Sequence, residues 1–197
     1  MVEIAPRRTP PIATTGWMKP LPPAARWVLH GDARARALAA PVLGVAFAEA
    51  ACRAVAHGTR ATLWLGPDEY LLLDMAPGAT SLHAAPEAAE ADLASALESA
   101  LADTPHALVD ISHRQFALEI SGPHAIPILN GACPLDLDLR EFPIDMCTRT
   151  VLAKADIVLW RTRPDAFHVE VWRSFAGYVG GLLAEIAAEY TPGGAPP

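Results

Sequence analysis

ADIVLWRTRPDAFHVEV, residues 155 to 171, decides how the chain folds. Two runs of β-branched, aromatic and leucine residues flank Pro164-Asp165, and proline presets φ for the first central position of a tight turn. The stretch therefore predicts a β-hairpin. ATLWLGPDEYLLL, residues 61 to 73, repeats the arrangement around Pro67-Asp68. An amphipathic helix is expected after each hairpin. The first carries Leu93, Leu97, Ala100 and Leu101; the second carries Phe175, Val179, Leu182, Leu183, Ile186 and Tyr190, at the three- and four-residue spacings of one buried face. Upstream of each hairpin stands a short strand, a glycine turn and a helical stretch: Arg26 to Leu29 before His30-Gly31-Asp32, and Phe116 to Ile120 before Ser121-Gly122-Pro123. The unit is strand, helix, hairpin, helix, used twice. It predicts an α+β fold of two ferredoxin-like split-βαβ units, with antiparallel sheet covered by helices. The expected division is an extended proline-rich arm over 1–24, a first unit over 25–104, a second over 105–190 and a flexible tail over 191–197, all within one globular body.

The 197 residues are 52% hydrophobic and 19% charged, the balance of a folded domain with a substantial core. The formal charge is −7, and the arginines are scattered rather than gathered into a stripe, which speaks against a nucleic-acid partner. Cys52, Cys133 and Cys147 are odd in number and share no CxxC spacing, so neither a disulfide framework nor a cysteine zinc site is suggested. No apolar run approaches the roughly 20 residues of a spanning helix, and the start lacks a leader-like apolar core. The expectation is a cytoplasmic protein with no membrane segment. The prolines at 6, 10, 11, 20, 22 and 23 exclude helix or central strand near the N-terminus.

LVDISHRQ, residues 108 to 115, gathers Asp110, Ser112, His113 and Arg114, the residue types of a hydrolytic site. As a strand it would place Asp110, Ser112 and Arg114 on one face and His113 on the other, which denies Ser112 its base. No G-x-S-x-G elbow is present. The other histidines, 30, 57, 83, 106, 124 and 168, form no HxH, HxxxH or HExxH arrangement, so no metal site is expected. Gly66-Pro67-Asp68-Glu69 reads as a turn rather than an acid–base pair. Gly177, Gly180 and Gly181 fall inside a helical pattern, where close packing explains them better than a phosphate loop. No catalytic, cofactor-binding or metal-binding residue is assigned.

VEVWRSF, residues 169 to 175, stands apart. Trp and Arg are the residue types that most often anchor protein interfaces, and Trp172-Arg173 sits where a strand passes into a helix. Arg114 and Trp17 complete the candidate interface set.

Two resemblances emerge from these segments. LVDISHRQFALEISGPHAIPIL and TRTVLAKADIVLWRTRPDAFHVEVW are similar to parts of the glycine-cleavage aminomethyltransferase fold, over residues 108 to about 185. LWLGPDEYLLL, ALVDISHRQ, LEISGP, GACPLDL, FPIDMCTRTVLAKADIVLWR and VWRSFAGYV, in that order and spacing, resemble the gamma subunits of heterotetrameric sarcosine oxidases, strongly from Ala61 to Tyr190 and loosely from Arg26 to Arg60.

The second resemblance implies a subunit of a four-chain enzyme. That enzyme demethylates sarcosine oxidatively to glycine, passes the one-carbon unit to tetrahydrofolate and reduces oxygen to hydrogen peroxide. The alpha, beta and delta subunits would be the partners, and FAD, FMN, NAD and zinc would belong to them. The chain itself would carry no chemistry. Where aminomethyltransferases have a glycine pair and an acidic pair at the hairpin, this sequence reads Ala153-Lys154-Ala155-Asp156, and their helix-opening acid is replaced by His124. The alternatives are a stand-alone folate-binding one-carbon transferase and a scaffold unrelated to oxidation.

Overall fold

The computed structural model describes residues 12–75 and 88–190. The arm before Ile12, the tail at 191–197 and His83 lie outside the described residues. In chain order the elements are β1 (Met18–Pro20), β2 (Ala25–Gly31), α1 (Ala33–Leu43), β3 (Ala54–His57), β4 (Arg60–Gly66), β5 (Glu69–Asp74), α2 (Ala88–Leu101), β6 (His106–Asp110), β7 (Gln115–Ser121), α3 (Ala125–Asn130), β8 (Cys147–Leu152), β9 (Ala155–Arg163), β10 (Ala166–Trp172), α4 (Arg173–Ala187) and a 3-10 turn (Ala188–Tyr190).

Both hairpins form where the Pro-Asp pairs stand. In the first, Asp68 takes a left-handed φ of 56°, a conformation that aspartate tolerates better than most residues. The strands build two five-stranded antiparallel sheets, ordered β3-β4-β5-β2-β6 and β1-β7-β10-β9-β8. In the first, β2-α1-β4-β5-α2-β6 is the split-βαβ pattern, with β3 added at the β4 edge. The second repeats it through β7-α3-β9-β10-α4, with β8 added in the corresponding place. Its remaining strand is β1, from near the N-terminus.

Two expectations are corrected here. Residues 18–20, assigned to the extended arm, are an edge strand in register with β7, Met18 opposite Ile120 and Pro20 opposite Leu118. An edge position needs no inward N–H from Pro20. The second correction concerns β6, which the division at 104/105 gave to the second unit. It pairs with β2 and belongs to the first sheet.

Three cores result. Tyr70 and Leu72 of β5 join Trp27, Leu29, Leu43, Leu97 and Leu101 in a core between the first sheet and α1 and α2. Ile157 and Leu159 of β9 join Phe167, Val169, Leu129, Val179 and Leu183 between the second sheet and α3 and α4. The alternate residues, Leu71 and Leu73 on β5 and Val158 and Trp160 on β9, meet between the two sheets. The order of layers is thus helix, sheet, sheet, helix. Because each hairpin strand buries both faces, its sequence is almost continuously apolar, which period two alone would not produce. Backbone bonds also join the sheets at one edge, through the Arg53–Met146 bridge and Cys147 N–H to Cys52 O at 3.0 Å.

Helix α1 opens with Asp32, whose carboxylate accepts from Ala35 N–H at 3.0 Å, and closes at Gly44 in the left-handed region. Helix α4 buries a narrower face than its sequence suggests. Ala176, Val179, Gly180, Leu183 and Ala187 point inward, whereas Phe175, assigned to the buried face, is 40% exposed. Of the three glycines, Gly180 alone is closely approached among the described residues: a Cβ there would stand 3.1 Å from Ile12 Cγ1, so a side chain of the N-terminal segment lies against it. Among the described residues, Gly177 and Gly181 meet nothing within 4 Å, so the described contacts explain only one of the three.

Candidate functional site

LVDISHRQ is not a continuous strand. Strand β6 ends at Asp110 and residues 112–114 form a turn, in which the Asp110 carboxylate accepts from Ser112 N–H at 2.7 Å and Arg114 N–H reaches Ile111 O at 2.9 Å. The serine and histidine diverge for that reason. Ser112 is buried with its Oγ accepting from Arg26 N–H at 2.8 Å, while His113 is exposed. Ser112 therefore serves the joint between the two sheets.

The polar content of the molecule lies instead on the face that the second sheet turns toward the first. Directly opposed residues in an antiparallel pair share a face. Gln115 stands opposite Trp172, Ala117 and Val158 flank Glu170, and Glu119 and Trp160 flank His168. From the first sheet Arg26 reaches across to this face. Its Nε donates to Glu170 Oε2 at 2.8 Å and its Nη1 to Ala24 O at 2.8 Å, while His168 Nε2 donates to the other Glu170 oxygen at 2.7 Å. All three side chains are buried. Burial by itself pushes the Glu170 carboxyl up, but the Arg26 charge and the His168 hydrogen bond outweigh it and bring the pKa down to about 2. At the rim, Arg149 on β8 donates through both terminal nitrogens to Glu69 on β5, one bond measuring 2.6 Å. Arg149 holds the Glu69 carboxyl below the usual range against the opposing effect of burial.

Beside the Arg26–Glu170 pair the sheets leave a cavity of about 300 Å³. Val28, Leu71 and Ile111 form its apolar side, and Arg114, Gln115, Asp156, Glu170 and Trp172 its polar side. Asp156, the acid left at the hairpin by the aminomethyltransferase resemblance, is thus on this cavity. His124 is elsewhere, stacked on Tyr190 with ring centroids 5.9 Å apart. The thiols take no part in the cavity. Burial pushes Cys147 up to about 12, and its Sγ faces Trp64 O at 3.5 Å. No group of three His, Cys, Asp or Glu side chains among the described residues could hold a metal ion.

Three of the candidate interface residues come together. The Arg114 guanidinium lies over the Trp172 ring, 4.9 Å from its centroid, and Arg173 N–H bonds Arg114 O at 2.8 Å. Trp172 is 45% exposed. Trp17 is not with them: it is half-buried against the core of the second sheet. Sequence reasoning missed Tyr178, 41% exposed and in edge contact with Phe175 at 6.4 Å. Its spacing of six residues from Trp172 and three from Phe175 is the available signal. No helix of the described chain is long and apolar enough to cross a membrane.

Comparisons with known proteins agree with this architecture. The chain is 36% identical over 130 residues to a sarcosine oxidase subunit gamma of Corynebacterium sp. strain P-1, covering 66% of this chain and 58% of that one. It is 39% identical over 114 residues to the Arthrobacter sp. subunit of the same name, covering 58% and 49%. The matched region thus spans about half the length of these relatives. Among solved structures, a chain of the heterotetrameric sarcosine oxidase from Corynebacterium sp. U-96 in complex with pyrrole 2-carboxylate superposes with a TM-score of 0.76 at 25% identity, covering 90% of this chain and 86% of that one. The glycine cleavage system aminomethyltransferase T of Bartonella henselae matches at 0.58 and 14% identity, over 84% of this chain and 44% of that one, a likeness of fold. The profile of the sarcosine oxidase, gamma subunit family matches residues 30–189, most of the sequence, and the chain belongs to that family.

Proposed function

We propose that this chain is the gamma subunit of a heterotetrameric sarcosine oxidase and supports assembly of the flavin-bearing alpha and beta subunits without contributing catalytic groups. The observation that carries the reading is the superposition on a chain of the Corynebacterium enzyme over nine-tenths of this one. Its own chemistry is consistent. The most strongly polar constellation, Arg26, Glu170 and His168, is buried and mutually satisfied, so it joins sheets rather than meeting a substrate. Trp172, Phe175 and Tyr178 instead present a large apolar surface, the kind that marks a partner site.

In this reading the complex converts sarcosine, tetrahydrofolate and oxygen to glycine, 5,10-methylenetetrahydrofolate and hydrogen peroxide. FAD, FMN and NAD sit in the alpha and beta chains and zinc in the delta chain. Co-expression with the three partner chains should yield a yellow complex that makes peroxide from sarcosine, while this chain alone is colourless. Trp172→Ala combined with Tyr178→Ala should reduce copurification severalfold, and complex that does form should turn over sarcosine at the wild-type rate per flavin. Undiminished copurification of the double variant would remove this face from the interface. A stand-alone folate-binding transferase is the second reading, favoured by the position of Asp156 on the cavity. Calorimetric binding of tetrahydrofolate to the isolated chain would support it.

A further inference from the structure

The assembly role makes no use of Cys52 and Cys147, yet the fold sets them opposite one another. The Arg53–Met146 bridge joins the segment entering β3 to the segment entering β8 in antiparallel register, so Cys52 falls across from Cys147. The Cys147 N–H already bonds Cys52 O at 3.0 Å. Opposed residues of an antiparallel pair hold their Cα atoms about 4.5–5.5 Å apart, inside the range of about 4.4–6.8 Å that a disulfide spans. Both residues are free thiols. The third, Cys133, is packed away from them in the core beneath α3 and α4.

The two thiols differ in what reaches them. Cys147 is fully buried, whereas Cys52 is partly accessible, so a small solute meets Cys52 first. Burial keeps the Cys147 thiol protonated; the Cys52 sulfur reinforces this and the Arg53 charge opposes it, so both groups lie within electrostatic reach of Cys147. Arg53 Nη1 is buried and has no acceptor among the described residues. A guanidinium N–H beside sulfur stabilises a thiolate and any oxygen formed on it. Cys52 also holds φ at 58°, a strained conformation for a residue with a Cβ, and such strain gathers at working sites.

We infer that Cys52 and Cys147 form a reversible disulfide that ties the two sheets together at this edge, with hydrogen peroxide as the oxidant. The Cys52 thiolate attacks one peroxide oxygen: the S–O bond forms, the O–O bond breaks, and the departing hydroxide takes up the proton that the thiol released, giving water. The Cys147 sulfur then attacks the Cys52 sulfur: the S–S bond forms, the S–O bond breaks, and a second water leaves with the Cys147 proton. The two thiols lose two electrons and the peroxide gains them. Bonds of this kind in otherwise reduced chains are transient and redox-sensing. Peroxide is the product expected of the proposed complex, but the site does not rest on that reading, because added peroxide tests it directly.

Non-reducing peptide mapping of the full-length chain after treatment with hydrogen peroxide tests the inference. The peptides carrying Cys52 and Cys147 should be joined within one chain, Cys133 should remain open to alkylation once the chain is unfolded, and a dithiol reductant should part the pair. Because the bond closes a loop of about a hundred residues, the joined protein should melt roughly 10 °C higher than the reduced one. Cys147→Ser should stop at a sulfenic acid on Cys52 that dimedone labels, and Cys52→Ser should give neither label nor bond. Arg53→Met should slow the joining roughly tenfold, and Arg53→Lys should restore part of the rate. The absence of a joined peptide, a bond to Cys133 or between chains, dimedone labelling of Cys147 in Cys52→Ser, or an unchanged melting transition in the joined protein would each overturn the assignment.

Discussion

Ala153 shows how a single residue records the history of a turn. It begins the tight β8–β9 connection with φ at 50°, in the left-handed region, where a Cβ is unfavourable by about 1–2 kcal/mol. Its N–H to Ala132 O at 2.8 Å helps hold it there. The stretch reads Ala153-Lys154-Ala155-Asp156 where the aminomethyltransferase pattern has a glycine pair, and the dihedral explains what glycine would do. Ala153→Gly should raise stability by about 0.5–1 kcal/mol in denaturant unfolding, relief of the Cβ outweighing the added freedom of the unfolded chain. A destabilised variant would mean that the turn is held by something other than backbone geometry. Ser112 teaches the opposite lesson. A turn and a bond to Arg26 N–H part it from His113, and strand periodicity could supply neither.

At the scale of elements, β2 and β10 are coupled by one buried ion pair across two sheets. Breaking it from one side leaves a charge in the interior, so Glu170→Gln should lose about 3–5 kcal/mol, whereas Arg26→Met with Glu170→Leu should stay close to wild type. Denaturant titrations of the two variants check this, and an equal loss in both would mean that packing rather than charge dominates. The pH dependence follows from the same carboxylate. Its pKa falls from 4.5 when unfolded to about 2 when folded, so its contribution is complete above pH 4.5 and is lost as pH falls from there towards 2. The wild type should therefore lose stability over that interval more steeply than the doubly apolar variant. Neither partner was visible as such in the sequence, being separated by 144 positions.

The whole molecule is closed by its N-terminal segment. Met18 is buried in the second core, Ile12 lies on Gly180, and β1 completes the edge beside β7. Removing residues 1–23 should weaken assembly with the partner chains. With these contacts it should also lower the melting temperature of the isolated chain by about 10 °C, several kcal/mol at 2–4 °C each for a chain of this size. Differential scanning calorimetry would show it, and an unchanged transition would mean that the second sheet is stable without its edge strand.

Local pattern determined the two hairpins, the helices that follow them and the duplication, because Pro-Asp turns and apolar periodicity act over a few residues and are written contiguously. The resemblance placed the chain in its family for the same reason, through short blocks in a fixed order. Tertiary structure alone decided which strands close each sheet, as β1 and β6 show, since an edge strand can pair with whichever sheet offers unpaired backbone. It also decided that the two sheets meet face to face, turning Arg26, Glu170 and His168 into one buried group and Gln115, Arg114 and Trp172 into the lining of one cavity. A strand's period says which residues share a face; only packing says what that face meets.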